Sequence, residues 1–167
     1  MARWETEQTV TQSLLERLID RDPAAGAEAP MMRAQSVRLL KASLRRDLEW
    51  LLNTRRIPEP VPEGCEQLES SLYSFGLPDV TSLNYEVAAD RNHLARMLER
   101  TIALFEPRLE RLKVNALEPV PGATHVLRFQ IEGLLMMDPA PELISFDTVL
   151  QLASGEYHVK GEQASAG

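Results

Sequence analysis

Phe105-Glu106-Pro107-Arg108-Leu109-Glu110-Arg111-Leu112-Lys113-Val114-Asn115-Ala116 is where the chain changes its period. Upstream, Leu94, Met97, Leu98, Ile102 and Phe105 recur at three- and four-residue steps, which predicts a helix over about 85–105. Downstream, Leu109, Arg111, Lys113 and Asn115 alternate with Glu110, Leu112, Val114 and Ala116, the period of a strand, without showing which face is buried. Pro107 stops the helix between them, because it has no N–H to donate and its ring crowds the preceding turn. Glu106 and Arg108 are then expected to project from a rigid corner. Two readings of the pair stay open. It can make charge-assisted hydrogen bonds to a partner, bidentate for Arg108, or close an internal salt bridge that locks the corner.

Outward toward the N-terminus lies a second helix signal. Val37, Leu40, Leu44, Leu48, Leu51 and Leu52 form one apolar stripe, with Ser36 placed to cap it. Its other face is basic. Over 36–56, Arg38, Lys41, Arg45, Arg46, Arg55 and Arg56 stand against Asp47 and Glu49, in a chain whose net charge is −7. A basic face on an acidic protein suits either an acidic partner or plain solvation. Pro58, Pro60 and Pro62 end this helix. Ser70 to Asp79 follows as a turn-like segment around Phe75-Gly76-Leu77-Pro78, whose Leu72, Tyr73, Phe75 and Leu77 are expected in the core.

Outward toward the C-terminus, Val126 to Leu135, Leu143 to Leu152 and Tyr157-His158-Val159 read as further strands. Glu118-Pro119-Val120-Pro121-Gly122 makes a hairpin turn. The expected fold is therefore α+β: N-terminal helices followed by a small, mainly antiparallel C-terminal sheet. Residues 1–35 read as a partner-docking helix, with Leu14, Leu15 and Leu18 on one face, and a flexible linker. Residues 36–160 form the single domain, and 161–167 a disordered tail.

Composition narrows the function. With 167 residues, 44% hydrophobic and 26% charged, one globular domain is expected. The acidic balance argues against a general nucleic-acid binder. No apolar run approaches the roughly 20 residues of a membrane span, and no apolar core of a signal peptide follows the charged start, so a cytoplasmic location is expected. The single Cys65, in a Pro/Glu-rich loop, has no basic neighbour to activate it. His93, His125 and His158 stand about 32 residues apart, a spacing that requires no metal site. Carboxylate catalysis would need Glu106 as an acid with Asp79 or Glu132 as partner. A guanidinium two residues away suits a carboxylate that binds better than one that must carry a proton. No catalytic residue, cofactor or metal is expected.

Five segments taken in order resemble a known family. They are Ser13-Leu14-Leu15-Glu16-Arg17-Leu18, the run Arg45-Arg46-Asp47-Leu48-Glu49-Trp50 to Arg56, Ser71 to Asp79, Phe105-Glu106-Pro107-Arg108-Leu109, and Phe146-Asp147-Thr148. Together, over about residues 13 to 160, they resemble the TssE family of type VI secretion baseplate subunits, related to the small wedge subunit of contractile-phage baseplates. Phe75 stands where that family more usually has Tyr. The resemblance implies a fold like the handshake domain of sheath proteins. It implies a place in a wedge with TssF, TssG and TssK, around the VgrG hub, in a cytoplasmic baseplate docked at the inner membrane. It also implies that Glu106, Pro107 and Arg108 meet the TssB/TssC sheath and that Leu14, Leu15 and Leu18 contact TssF/TssG, while Arg45 and Arg46 are expected to meet a partner as part of the basic helix face. Members of the wider family have been labelled lysozyme-like, so the alternative is a peptidoglycan-cleaving enzyme of the same machine.

Overall fold

The computed structural model describes residues 10, 15, 18, 19, 33–80, 83–118 and 126–161. Most of the expected N-terminal helix and linker, Leu14 included, lies outside the described residues, as do the hairpin turn after Glu118 and the tail from residue 162. Helix α1 (Arg33–Asn53) follows its stripe: Leu40, Leu44, Leu48, Leu51 and Leu52 are buried, with Val37 packed beside them. It includes three residues ahead of Ser36, and Ser36 is not its N-cap. Arg33, Ala34 and Gln35 tolerate helix well, so a turn forms ahead of the serine. The buried Ser36 hydroxyl donates back to Arg33 O at 2.8 Å and accepts from Val10 N at 3.2 Å.

Helix α1 also ends early, at Asn53, before the prolines can act. A long-range competitor takes the chain. Arg56 N donates to Leu77 O and Leu77 N to Thr54 O, each at 2.8 Å, so that Arg55 and Leu77 form a short parallel bridge. Gly76 permits this approach. Its φ is +103°, and a Cβ there would sit 2.3 Å from Thr54 O. Arg55 and Arg56 therefore leave the basic helix face to which they were assigned. Leu72 is a second correction: it is 85% exposed. The tight 3-10 turn Leu72–Ser74 points Ser74 inward, where its hydroxyl donates to Leu68 O, and turns Leu72 out. Leu77 is buried, and Phe75 packs edge-on against Phe105 at 5.2 Å between centroids.

Helix α2 (Ala88–Phe105) starts after, not at, Tyr85. Asn84 folds the residues ahead of it into a turn: its side chain accepts from Glu86 N and its carbonyl from Val87 N. Leu94, Ala95, Leu98 and Ile102 are buried. Four antiparallel strands follow in the order β1-β2-β3-β4: Leu109–Ala116, Val126–Leu135, Glu142–Gln151 and Glu156–Val159. Alternate residues of β2 (Leu127, Phe129, Ile131, Leu135) and β3 (Ile144, Phe146, Thr148, Leu150) face the helices. Arg128, Gln130, Glu132, Ser145 and Asp147 alternate on the opposite face.

In β1 a bulge explains why alternation showed no buried face. Glu110 pairs with Leu134 but Lys113 pairs with Glu132, so Arg111 and Leu112 together oppose Gly133. Arg111 takes φ +49° to do so. One extra residue swaps the parity of the strand, and Leu109 and Val114 both reach the core from positions of opposite parity. The architecture is α+β, with two helices ahead of a four-stranded antiparallel sheet.

Candidate functional site

Glu106 ends α2 and Arg108 begins the sheet. Glu106 N donates to Ile102 O at 2.8 Å, closing the last helical turn, while Arg108 O accepts from Met136 N at 2.8 Å, the first rung of the ladder between β1 and β2. Pro107, exposed between them, fixes the bend. The two charges do not project as a pair. The Glu106 side chain is only 7% exposed and folds back onto Arg108, whose Nε donates to Oε1 at 2.5 Å and Nη2 to Oε2 at 2.6 Å. Arg108 Nη2 also donates to Asp47 Oδ2 on α1 at 2.7 Å, a contact between residues 61 positions apart. The fork thus ties the end of α2, the start of β1 and the middle of α1 together.

The network continues along α1. Arg46 Nη2 donates to Asp47 Oδ1 at 3.3 Å, and the Arg46 guanidinium lies 5.2 Å from the centre of the Trp50 ring. Two cations and two anions balance, which is what permits a carboxylate as buried as Glu106 to stay in place. Arg108 is held charged even more firmly than usual, first by its hydrogen bond to Glu106, against the opposing effect of burial, and further by Asp47. Its Nη1 atom is buried and has no partner among the described residues.

This corner forms one wall of an open groove of about 440 Å³. Trp50 and Leu51 of α1, Phe75 and Phe105 line it, and Leu15 of the N-terminal segment reaches it. Trp50 is 56% exposed, and Leu15 and Leu18 are exposed as well. The corner and one leucine of the expected docking helix are thus brought to one place. Arg45 is exposed on α1. Asp47, Trp50 and Phe75 were not singled out from the sequence as site residues. Asp47 counted there only as a charge on a basic face, and only its position one turn before Leu51 of the buried stripe hints that it points inward.

Elsewhere the candidates for chemistry are scattered. Glu132 lies on the outer face of β2, and Asp79 lines a separate cavity of about 330 Å³ between the end of α1 and the turn before β4, with Tyr85 and Tyr157. Both oxygens of Glu106 accept hydrogen bonds from Arg108, and neither Asp79 nor Glu132 lies beside it in the groove. His93 and His158 are exposed, His125 lies outside the described residues, and Cys65 is exposed. Among the described residues no three His, Cys, Asp or Glu side chains gather as metal ligands, and no helix is long and apolar enough to cross a membrane.

The second feature of note is at the free edges of the sheet. Asn53, the last residue of α1, lays its carboxamide against β4: Tyr157 N donates to Oδ1 at 2.8 Å and Nδ2 donates to Tyr157 O at 2.9 Å. At the other edge, Val114 N of β1 donates to Glu99 Oε2 of α2 at 3.0 Å. Compared with known families, the chain matches the family model for baseplate wedge protein gp25 over residues 38–140. The match spans most of α1, all of α2, the corner, β1 and β2, and stops before β3; the leader around Leu14 and the Phe146-Asp147-Thr148 segment lie beyond it. No curated protein sequence matches the chain.

Proposed function

The chain belongs to the family of baseplate wedge protein gp25, a structural component of the baseplate of a contractile system, and from that premise we propose that it serves a type VI secretion system, joining the TssF/TssG wedge to the TssB/TssC sheath and templating sheath growth. The observation that supports a binding role most directly is the corner groove. It is apolar, open, and walled by the Arg108 side chain, which Glu106 and Asp47 hold in place.

In this reading Glu106 and Asp47 do not touch the partner. They hold Arg108 in position, and Arg108, Trp50, Phe75 and Phe105 make the contact. Leu15 stands in the same groove, and the leader is the part that the resemblance assigns to TssF/TssG. We therefore place the groove against the wedge, with TssK and the VgrG hub nearby, although the resemblance gave the corner to TssB/TssC. The sheath is left to the far side of α1, where the sheet ends in β4. No step of this role requires catalysis.

Affinity capture of the full chain with purified TssF/TssG and, separately, with TssB/TssC tests the reading. Both are expected to bind, and Trp50→Ala is expected to lower capture of TssF/TssG about tenfold or more while sparing TssB/TssC. Capture of neither overturns the proposal. So does clearing of a purified cell-wall suspension that disappears with Glu106→Gln, since that result belongs to the peptidoglycan-cleaving alternative.

A further inference from the structure

Arg46 and Trp50 lie one turn apart on α1, and their side chains meet. The Arg46 guanidinium carbon is 5.2 Å from the centre of the indole ring, within reach of a cation–π contact. A carboxylate fixes the same guanidinium. Its Nη2 donates to Asp47 Oδ1 at 3.3 Å, while Asp47 Oδ2 accepts from Arg108 Nη2 at 2.7 Å and from the Ser43 hydroxyl at 3.4 Å. Asp47 thus carries one arginine on each oxygen.

The two arginines take different places. Among the described residues Asp47, Trp50 and Arg108 line the corner groove, and Arg46 does not. The indole therefore stands between the Arg46 guanidinium and the groove, backed by the cation on one side and open on the other. Trp50 is 56% exposed, and a ring that free on a helix surface ordinarily moves among rotamers. Ordering such a side chain on binding lowers affinity roughly two- to tenfold. A guanidinium already tied to Asp47 removes part of that loss beforehand, because its planar shape covers a ring face without giving up the carboxylate.

We propose that Arg46 is a positioning residue for the groove. It does not touch the partner but holds the Trp50 ring in place, so that the open face of the ring receives an uncharged, apolar side chain of the wedge. This rests on the reading that the groove meets TssF/TssG. The chemistry of the occupant follows from the charges. Asp47 and Glu106 face Arg108 and Arg46, two anions against two cations, which leaves this wall without net charge. A cation from the partner would approach two guanidiniums, one of which already draws on the π electrons of the ring. A carboxylate from the partner would approach Asp47 and Glu106. Leu51, Phe75 and Phe105 complete a lining that suits leucine, methionine or phenylalanine. Arg46 thus departs from the role expected of it on a basic helix face: Asp47 and the ring meet its charge.

The test uses the full chain and purified TssF/TssG as the probe, in a cycle of wild type, Arg46→Met, Trp50→Ala and the double variant. Circular dichroism checks that each folds. Arg46→Met, which keeps an apolar stem without the charge, is expected to weaken binding about two- to tenfold, and to add nothing once Trp50 is gone. In the free protein, with Trp4→Phe leaving Trp50 as the single indole, Arg46→Met is expected to speed acrylamide quenching of Trp50 fluorescence. A general loss of stability in a folded variant does not produce that change. The ratio of wild-type to Trp50→Ala affinity is expected to stay constant from low to high salt, since an apolar contact is not screened. Binding by Arg46→Met equal to wild type, or unchanged quenching, overturns the positioning role. So does an equal loss with and without Trp50, which would place the effect at Asp47, Arg108 or the partner itself. A ratio that shrinks as salt rises overturns the apolar occupant. If wild type fails to bind TssF/TssG, or Trp50→Ala binds as well as wild type, the reading of the groove falls, and this inference with it.

Discussion

The corner at Glu106–Arg108 and the edge at Tyr157 are both held by side chains of α1, and they are held in opposite ways. At the corner, Asp47 joins a charged fork whose carboxylate is almost out of water. At the edge, Asn53 offers one neutral donor and one neutral acceptor. A buried charge cannot lose its partner cheaply, whereas a neutral amide bond in partial contact with water exchanges for another at small net cost. The corner is therefore fixed and the edge is replaceable. One helix thus supplies a charged joint on its Asp47 side and a neutral one on its Asn53 side.

The largest effect should come from breaking the charged joint. Arg108→Ala strands the buried Glu106 and leaves Asp47 to Arg46 and the Ser43 hydroxyl, and is expected to lower unfolding free energy by about 3 kcal/mol in a denaturant titration. A loss no greater than that of Asn53→Ala would erase the distinction. Next comes Gly76→Ala. The new methyl would meet Thr54 O at 2.3 Å, and the positive φ is unfavourable for alanine. About 2 kcal/mol should be lost and α1 should fray at its end, visible as faster amide exchange at Arg56 and Leu77.

Asn53→Ala sharpens the comparison from the other side, with an expected loss of only about 1 kcal/mol in the same titration. Tyr157→Phe should have the smallest effect and the opposite sign. The Tyr157 hydroxyl is buried without a hydrogen-bond partner among the described residues, so removing it should stabilise the fold by about 0.5–1 kcal/mol. Burial, and then the charge of Tyr85, push the ionisation of Tyr157 well above its ordinary value near 10. Below pH about 10 its contribution to stability is fully present. Above that pH the unfolded chain ionises first, and the contribution is lost as pH rises toward the folded-state value. Tyr157→Phe should flatten that alkaline loss, leaving the smaller part of the same sign that comes from Tyr85.

What the sequence revealed and what it hid follow the range of the interactions. The apolar stripes of both helices, the stop at Pro107 and the alternation in β2 and β3 are local patterns, and they place the elements to within about three residues. The errors lie where a distant segment intervenes. Helix α1 stops at Asn53 because Leu77 captures Thr54 and Arg56. Ser36 reads as a cap but serves as an anchor for Val10. The buried face of β1 is unreadable because one bulged residue reverses its parity. At the site, the Glu-Pro-Arg run stands out by its chemistry. The direction of its charges is set by Asp47, 61 positions away, and no local signal reports that. Asn53 is hidden for the same reason: its pairing with Tyr157, 104 positions away, requires the sheet to be built.

The account's central claim is that the corner groove is a partner-binding surface that receives the TssF/TssG wedge, and affinity capture with Trp50→Ala in the full chain tests it most directly. Capture of TssF and TssG is expected to fall about tenfold or more while the variant still folds. Undiminished capture by a folded Trp50→Ala variant would contradict it.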